Sequence, residues 1–293
     1  DRSSPSAAIT APANGAAYKA TALAGVNAFT GTAADAEDTL YAGSDALQSV
    51  EYALWYLQAG TSFYWNGSAF TSAINEAAAF APVTSGTSSW NNSFSAGSWV
   101  SDKQYHLKAR ARDNAGNTQT VFTPGGNYNG FVVDATPPVS LSTLPSSAAF
   151  VNAVPTLSGT ANGDLAGLSK VELTLYDQTA NLYWDGTQWI AQSISTLPAS
   201  FGVQTGTVTW TFDASGVTFT SGRRYGVTAK AADNAGNVEA APVSTAFTFD
   251  TQAPAAAVTV PVSGGFYGPS AAFDASKPLA TLSGTANDSG GNP

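Results

Sequence analysis

The sequence predicts an all-β protein made of tandem antiparallel β-sandwiches. Three observations predict it. Short runs alternate strictly between apolar and polar residues, turn dipeptides separate those runs, and an internal repeat carries both features twice in the same order. At 293 residues the chain is longer than one compact core usually serves. Its 28 glycines and 15 prolines give it frequent turns. The apolar residues lean on Val, Phe, Tyr, Trp and Ala, which suit short strands on a half-buried pleated surface.

The repeat sets the domain organisation. Each unit opens on an aspartate with proline close behind: "DRSSP" from Asp1, "DATPP" from Asp134 and "DTQAP" from Asp250. A Gly-Thr-Ala triplet follows, in "FTGTA" (29–33) and twice in "LSGTA" (157–161 and 282–286). Next, "VEYALWYL" (50–57) matches "VELTLYDQ" (171–178), and "YWNGSAF" (64–70) matches "YWDGTQW" (183–189). Finally, "SDKQYHLKARARDNAGN" (101–117) matches "TSGRRYGVTAKAADNAGN" (220–237), and the units close on "FVVD" (131–134) or "FTFD" (247–250). The expected units are 1–133, 134–249 and a partial third, 250–293, that holds opening strands alone. So small a piece should not be stable by itself. Either the chain continues or something else covers those strands.

Within a unit, each element has its own signal. In "VELTLY", Val171, Leu173 and Leu175 share one face, and Val208, Trp210 and Phe212 do the same in "TVTWTFD". Tyr105, Leu107, Ala109 and Ala111 alternate with His106, Lys108, Arg110 and Arg112, so the first set points inward. Tyr225, Val227, Ala229 and Ala231 repeat this pattern. Asn66-Gly67 and Asp185-Gly186 lie between aromatic flanks and predict hairpin tips with type I′ turns. The Ala runs near Ala77 and Ala255 are short and flanked by proline, so no helix is expected there. About seven strands per unit fit a sandwich.

These residues carry a resemblance. The pattern Y-x-(V/L)-x-A-x-A-x-D-N-A-G-N, the closing strand ending in Asp and the D-x-x-(A/P)-P junction resemble bacterial immunoglobulin-like repeats. Such repeats, similar to fibronectin type III domains, stand in tandem in large secreted or surface proteins, giant adhesins among them. The resemblance implies Ig-like sandwiches in an elongated extracellular array on a bacterial cell. It implies no reaction.

Composition narrows the function. Net charge is −9 and the isoelectric point about 4.3, so a nucleic-acid partner is not expected. A divalent cation suits such a surface better. No Cys or Met is present, which excludes disulfides, thiolate metal sites and thiol nucleophiles. No apolar run is long enough to span a membrane, and "DRSSPSAAIT" carries no signal peptide, so the chain reads as mature sequence or an excerpt. The single His106 sits on an outward strand phase, a poor start for a triad. The expectation is a non-catalytic protein.

Two kinds of site remain. "DNAGN" reads as an Asx turn, because Asp and Asn accept from their own backbone and Gly supplies positive φ. It also reads as part of a Ca²⁺ site. Asp113, Asn114 and Asn117, their counterparts Asp233, Asn234 and Asn237, and the junction residues Asp134 and Asp250 offer the oxygens Ca²⁺ prefers. Some adhesins of the resembling group bind Ca²⁺ near such junctions. An acidic stretch, "AEDTLYAGSD" (36–45), occurs in the first unit alone. Trp65, Phe70, Trp184 and Trp189 flank the hairpin tips. They form either a glycan-stacking platform or cross-strand packing, with coplanar exposure as the discriminating property. The expected role is structural: a stalk, surface fibre, filament or sheath whose partners are neighbouring repeats or copies of the chain. A carbohydrate-binding or adhesive module is the alternative.

Overall fold

In a computed structural model, residues 3–35, 47–191, 194–202, 205–265, 267 and 281–288 are described. The acidic stretch 36–45 and Asp1 lie outside them. The first unit has seven principal strands: β1 (Ser6–Ala11), β2 (Gly25–Ala34), β3 (Leu47–Gln58), β4 (Thr61–Trp65), β5 (Ser89–Phe94), β6 (Lys103–Asp113) and β7 (Tyr128–Val133). The second unit repeats them as β8 (Ser140–Leu144), β9 (Thr156–Gly163), β10 (Leu168–Asp177), β11 (Leu182–Trp184), β12 (Gly206–Asp213), β13 (Arg223–Asp233) and β14 (Ser244–Phe249). The third opening contributes β15 (Ala255–Val260) and β16 (Ser283–Asn287).

Each complete unit is a two-sheet sandwich. One sheet runs β1-β2-β5, and its counterpart runs β8-β9-β12. The other runs β7-β6-β3-β4, matched by β14-β13-β10-β11. A short parallel strand lies at the edge of each larger sheet: Ala17–Tyr18 beside β7 and Phe150–Val151 beside β14. This is the topology of an immunoglobulin-like sandwich, with the chain crossing between sheets rather than making a simple meander.

The period-two pattern explains the core. On β6, Tyr105, Leu107, Ala109 and Ala111 are buried while their neighbours are half-buried or exposed. Tyr225, Val227, Ala229 and Ala231 are buried on β13 as well, where their neighbours Gly226 and Ala232 are also buried. Two large fillers come from the facing sheet: Trp90 on β5 and Trp210 on β12, both essentially inaccessible. Each indole lies over a glycine, Gly31 or Gly159, where any β-carbon would collide with the ring and with a backbone carbonyl of the adjacent strand. That is the physical reason for the glycine in the Gly-Thr-Ala triplet. Each indole Nε1 donates to the carbonyl of the next residue, Thr32 at 3.1 Å or Thr160 at 3.2 Å. Tyr105 Oη accepts from Val100 N–H at 2.8 Å, and Tyr225 Oη accepts from Thr220 N–H at 2.8 Å. Both anchor the start of their strands in the manner of a tyrosine corner.

Several local expectations need correction. The hairpin turns are centred one residue later than a type I′ turn on Asn-Gly requires. Asn66 N–H donates to Ala69 O at 3.1 Å, and Asp185 N–H donates to Gln188 O at 3.0 Å, so Gly67-Ser68 and Gly186-Thr187 form the tips. The reason is the side chain at the first position. Asn66 Oδ1 accepts from Ser68 and Ala69 N–H, and Asp185 Oδ1 accepts from Thr187 and Gln188 N–H. A one-turn helix does form at Glu76–Ala79, because Asn75 Oδ1 caps it by accepting from Ala78 N–H at 3.0 Å. Ala255, by contrast, begins a strand. The "DNAGN" turn opens a connection that runs from Asp113 to Tyr128, and its second copy one from Asp233 to Ser244.

Candidate cation site at the first junction

The two "DNAGN" turns share a frame. Asp113 and Asp233 occupy the buried phase at the ends of β6 and β13. Each carboxylate turns back on the chain. Asp113 Oδ1 accepts from Asn117 N–H and its Oδ2 from Asn117 Nδ2, both at 2.8 Å. Asp233 makes the same two bonds with Asn237, at 2.8 and 2.9 Å. Gly116 and Gly236 take positive φ. Burial pushes the Asp113 carboxyl up, but the Asn117 side chain and the N–H groups of Asn117, Gly116 and Ala115 outweigh it and hold the group low. Asn114 and Asn234 are exposed. Asn234 Nδ2 donates to Ala166 O at 3.0 Å, which ties the turn to the 164–167 loop.

The second turn then does more than the first. Asn237, 6% exposed, also donates from Nδ2 to the carbonyl and carboxylate of Asp134, both at 3.2 Å. Asp134 is the residue that ends the first unit and opens the second. Beside it lies Asp164, from the loop between β9 and β10. One carboxylate oxygen each from Asp134, Asp164 and Asp233 lie within 4.8 Å of one another. Asp134 and Asp233 are buried and Asp164 is partly so. Asp164 Oδ1 accepts from Ala166 N–H, whereas its Oδ2 is buried without a hydrogen-bond partner. A fourth acid comes from the first unit: Asp102 hydrogen-bonds to Asp134 and accepts from Thr136 Oγ1 at 3.0 Å.

So many carboxylates cannot all be charged at low cost without a counter-charge. Burial first, then Asp102, then the charges of Asp164 and Asp233 push the Asp134 carboxyl up to about 7. Asp102, hydrogen-bonded by Asp134, is held low. Among the described residues, the ligand atoms the cluster offers are all oxygens; the Asn237 amide nitrogen only donates hydrogen bonds to Asp134 and Asp233. Oxygen donors and a buried carboxylate oxygen with no partner fit a hard divalent cation such as Ca²⁺ or Mg²⁺, and carry none of the soft ligands a thiophilic metal prefers.

The structure brings together three of the eight residues that the sequence suggested as ligands: Asp134, Asp233 and Asn237. Asp113, Asn114 and Asn117 form a self-contained turn, and Asn234 serves as a tether. Asp250 accepts from Ser221 Oγ at 3.1 Å and from Gln252 N–H at 2.9 Å; the second bond matches that from Thr136 N–H to Asp134, whereas Ser101 Oγ donates to Asp102. Asp102 and Asp164 were missed by sequence reasoning. A signal was available for Asp102: it aligns with Gly222, and both take positive φ. An Asp where Gly is the comfortable residue is a backbone strain accepted for its side chain.

The hairpin aromatics pack against other rings. Trp184 is only 3% exposed and belongs to the second core. Trp189 packs at 5.3 Å from Tyr225 and donates from Nε1 to Thr218 O at 2.8 Å. Trp65 lies 4.8 Å from Phe94, and Phe70 lies 5.4 Å from Tyr105. Trp65, Phe70 and Trp189 are half-buried, each packed against the core of its own unit. His106 is outward, as its phase predicts, yet it is stacked on Trp55 at 5.1 Å and paired with Tyr128 Oη at 2.9 Å. Burial and neighbouring Lys108 hold its pKa low. Among the described residues no carboxylate is hydrogen-bonded to it, as a triad would require.

A family model described as "Bacterial Ig-like domain" matches residues 65–124 and 148–251, more than half of the chain. The chain belongs to this family. No curated protein matches by sequence. Among solved structures, a tetra-tandem repeat from the extending region of a large adhesion protein is 17% identical, with a TM-score of 0.33, covering 89% of this chain and 53% of that one. Dimeric latent PorU from Porphyromonas gingivalis is 13% identical, with a TM-score of 0.27, covering 87% and 25%. The sialic acid binding region of a Streptococcus sanguinis adhesin is 12% identical, with a TM-score of 0.22, covering 85% and 78%. The chain thus spans about half of the first structure's length and a quarter of the second's. No helix among the described residues is long and apolar enough to cross a membrane.

Proposed function

We propose that this chain is a non-catalytic structural segment of a bacterial surface or secreted protein, in which Ig-like units stand in series and a divalent cation, Ca²⁺ by preference, ties the first junction. The observation that carries the reading is the meeting of Asp134, Asp164 and Asp233 within 4.8 Å, with Asp102 hydrogen-bonded to Asp134. These residues come from the end of one unit, the linking segment and two loops of the next. Asp134, Asp164 and Asp233 would hold the cation, with Asp102 at its edge. The cation would supply the positive charge that four neighbouring acids lack.

Its mechanical effect follows from the connectivity. Without a counter-charge the acids repel one another and favour separation of the loops that carry them. With one, the linker at Asp134 is bound to the 164–167 loop and to the 233–237 turn, which removes bending freedom at the junction. A tandem array then keeps its length by local folding of each unit. Asp and Glu outnumber Lys and Arg by 20 to 11, which favours a cation over an anionic partner.

The test is a calorimetric melt of the chain after chelation, with and without added Ca²⁺. A ligand present at about 100 times its Kd and bound to the folded state alone stabilises by about 2.7 kcal/mol. For a unit of this size that is a rise on the order of 8 °C. A melt unchanged by Ca²⁺ and by Mg²⁺ would remove the cation from this reading and leave a rod held by packing alone.

A further inference from the structure

Four Asn-Gly pairs stand in the sequence: Asn14-Gly15, Asn66-Gly67, Asn129-Gly130 and Asn162-Gly163. In such a pair the glycine nitrogen can attack the side-chain amide carbon before it, because no β-carbon shields the approach. The fold separates the four. Asn129 is buried on β7, and its Nδ2 donates to Pro12 O at 2.8 Å. Gly130 N–H donates to Asn14 Oδ1 at 2.8 Å, and Gly15 N–H donates to Gly130 O at 2.6 Å. The glycine nitrogens of these two pairs are therefore occupied. Asn162 lies on β9, where the ladder to β12 keeps the chain extended and sets buried Gly163 opposite Gly206.

Asn66-Gly67 is different. Both residues are exposed at the tip that follows β4, and Gly67 takes a φ of 97°. A β-carbon on Gly67 would meet nothing within 4 Å. Among the described residues no hydrogen bond occupies the Gly67 N–H. The Asn66 side chain folds back over this segment: Oδ1 accepts from Ser68 N–H at 3.0 Å, from Ser68 Oγ at 3.0 Å and from Ala69 N–H at 2.9 Å. These bonds hold the amide carbon close to the Gly67 nitrogen and place donors on the oxygen that gains charge during attack.

The second unit shows the product at the same place. Asp185 Oδ1 accepts from Thr187 N–H at 2.7 Å, from Thr187 Oγ1 at 2.8 Å and from Gln188 N–H at 2.8 Å, and Gly186 takes a φ of 104°. The turn uses a single side-chain oxygen, so it keeps its bonds whether the other atom is nitrogen or oxygen. The Gln188 and Thr187 N–H groups hold the Asp185 carboxyl low, which suits a charged acceptor.

We propose that Asn66 is a modification site of the first unit, deamidating without an enzyme to the aspartate that the second unit encodes at this position. The Gly67 nitrogen bonds to Asn66 Cγ, the Cγ–Nδ2 bond breaks, and ammonia leaves with the proton the Gly67 nitrogen gives up. Water then adds to Cγ of the cyclic imide and breaks the new bond. The proton returns to the Gly67 nitrogen and a carboxylate remains. In sum, amide and water become carboxylate and ammonium, and the net charge of −9 gains one negative charge. Opening of the imide at its other carbonyl gives isoaspartate, whose chain runs through Cγ and loses the turn's acceptor. The inference is independent of the cation reading, since none of the junction acids takes part.

The experiment incubates the folded 293-residue chain in mildly alkaline buffer, with a parallel sample in urea. Peptide mass spectrometry follows the four pairs. In the folded chain Asn66 should convert roughly tenfold faster than the other three, and in urea the four rates should draw together. Asp185→Asn should create a second fast site, because it sets an amide in the same turn. Asn66→Asp should melt at or above the temperature of the parent chain. The inference is overturned if another pair converts first in the folded chain, if Asn66 converts no faster than the rest, or if Asp185→Asn stays unmodified while Asn66 converts. A product made of isoaspartate alone, or a melt of Asn66→Asp several degrees below the parent, would overturn it as well.

Discussion

The same five residues, Asp-Asn-Ala-Gly-Asn, stand at 113–117 and at 233–237, and the two copies differ in what they touch. Their internal bonds agree to within 0.1 Å. Asn117 is half-buried and Asn237 is buried. Among the described residues, the hydrogen bonds of the first turn's aspartate are to its own turn, whereas the second turn also meets Asp134, with Asp164 nearby. Within the described residues, the second is the same turn with an acidic wall around it. An identical local sequence therefore fixes a local conformation and leaves its electrostatic role to whatever the fold brings alongside.

The difference can be broken from either side. The largest expected effect is on folding. Asp113→Ala and Asp233→Ala each remove a buried acceptor of two hydrogen bonds and leave amide groups unpaired, at a cost of about 2–4 kcal/mol by the usual penalties. Urea melts of the two variants should show similar losses, but only Asp233→Ala should also lose the Ca²⁺ response. Equal Ca²⁺ responses would mean that the two turns have the same role after all.

A middle-sized effect should separate charge from structure. Asp164→Asn keeps the bond from Ala166 N–H and takes one negative charge out of the cluster. It should raise the melting temperature in chelator and abolish most of the rise with Ca²⁺. If it instead lowers stability in chelator, the acids are paired by something other than a cation.

The smallest effects concern the two junctions. Asp102 at the first junction corresponds to Gly222 at the second, both with positive φ. Ser101 Oγ accepts from Ala135 N–H in one place, and Ser221 Oγ accepts from Thr251 N–H in the other. Asp102→Gly should relieve backbone strain and weaken Ca²⁺ binding a few-fold, as measured by titration calorimetry. A further contrast is set by acid. The Asp113 carboxyl is held low in the folded protein, so it stabilises the first unit above the ordinary carboxylate pKa, and that stability is lost as pH falls through its depressed folded value. Acid melts of Asp113→Asn should show a shallower loss over that range than those of the parent chain.

Much of the fold was legible because its signals are local. Tyr105 to Ala111 and Val171 to Leu175 announce their buried faces by alternation, and a twice-written order of landmarks marks the units. Turn centres were less legible. Asn66 and Asp185 accept from the backbone two and three residues on, and this contest with the type I′ turn is settled by hydrogen bonds rather than by residue preference. The hairpin tryptophans were ambiguous for a related reason. Trp184 and an exposed aromatic look the same in sequence, and only the packing of the second core shows the ring to be buried.

The sequence by itself determined the class of fold and the self-closing Asp-Asn turn, because each follows from periodicity, turn chemistry or repetition over a few residues. Only the tertiary structure decided that Asp102, Asp134, Asp164 and Asp233 share one place. They are far apart along the chain, and charge repulsion gives no local pattern that would announce their meeting. It also decided why Gly31 and Gly159 must be glycine: a tryptophan more than fifty residues away in one unit and as distant in the next lies flat upon each of them.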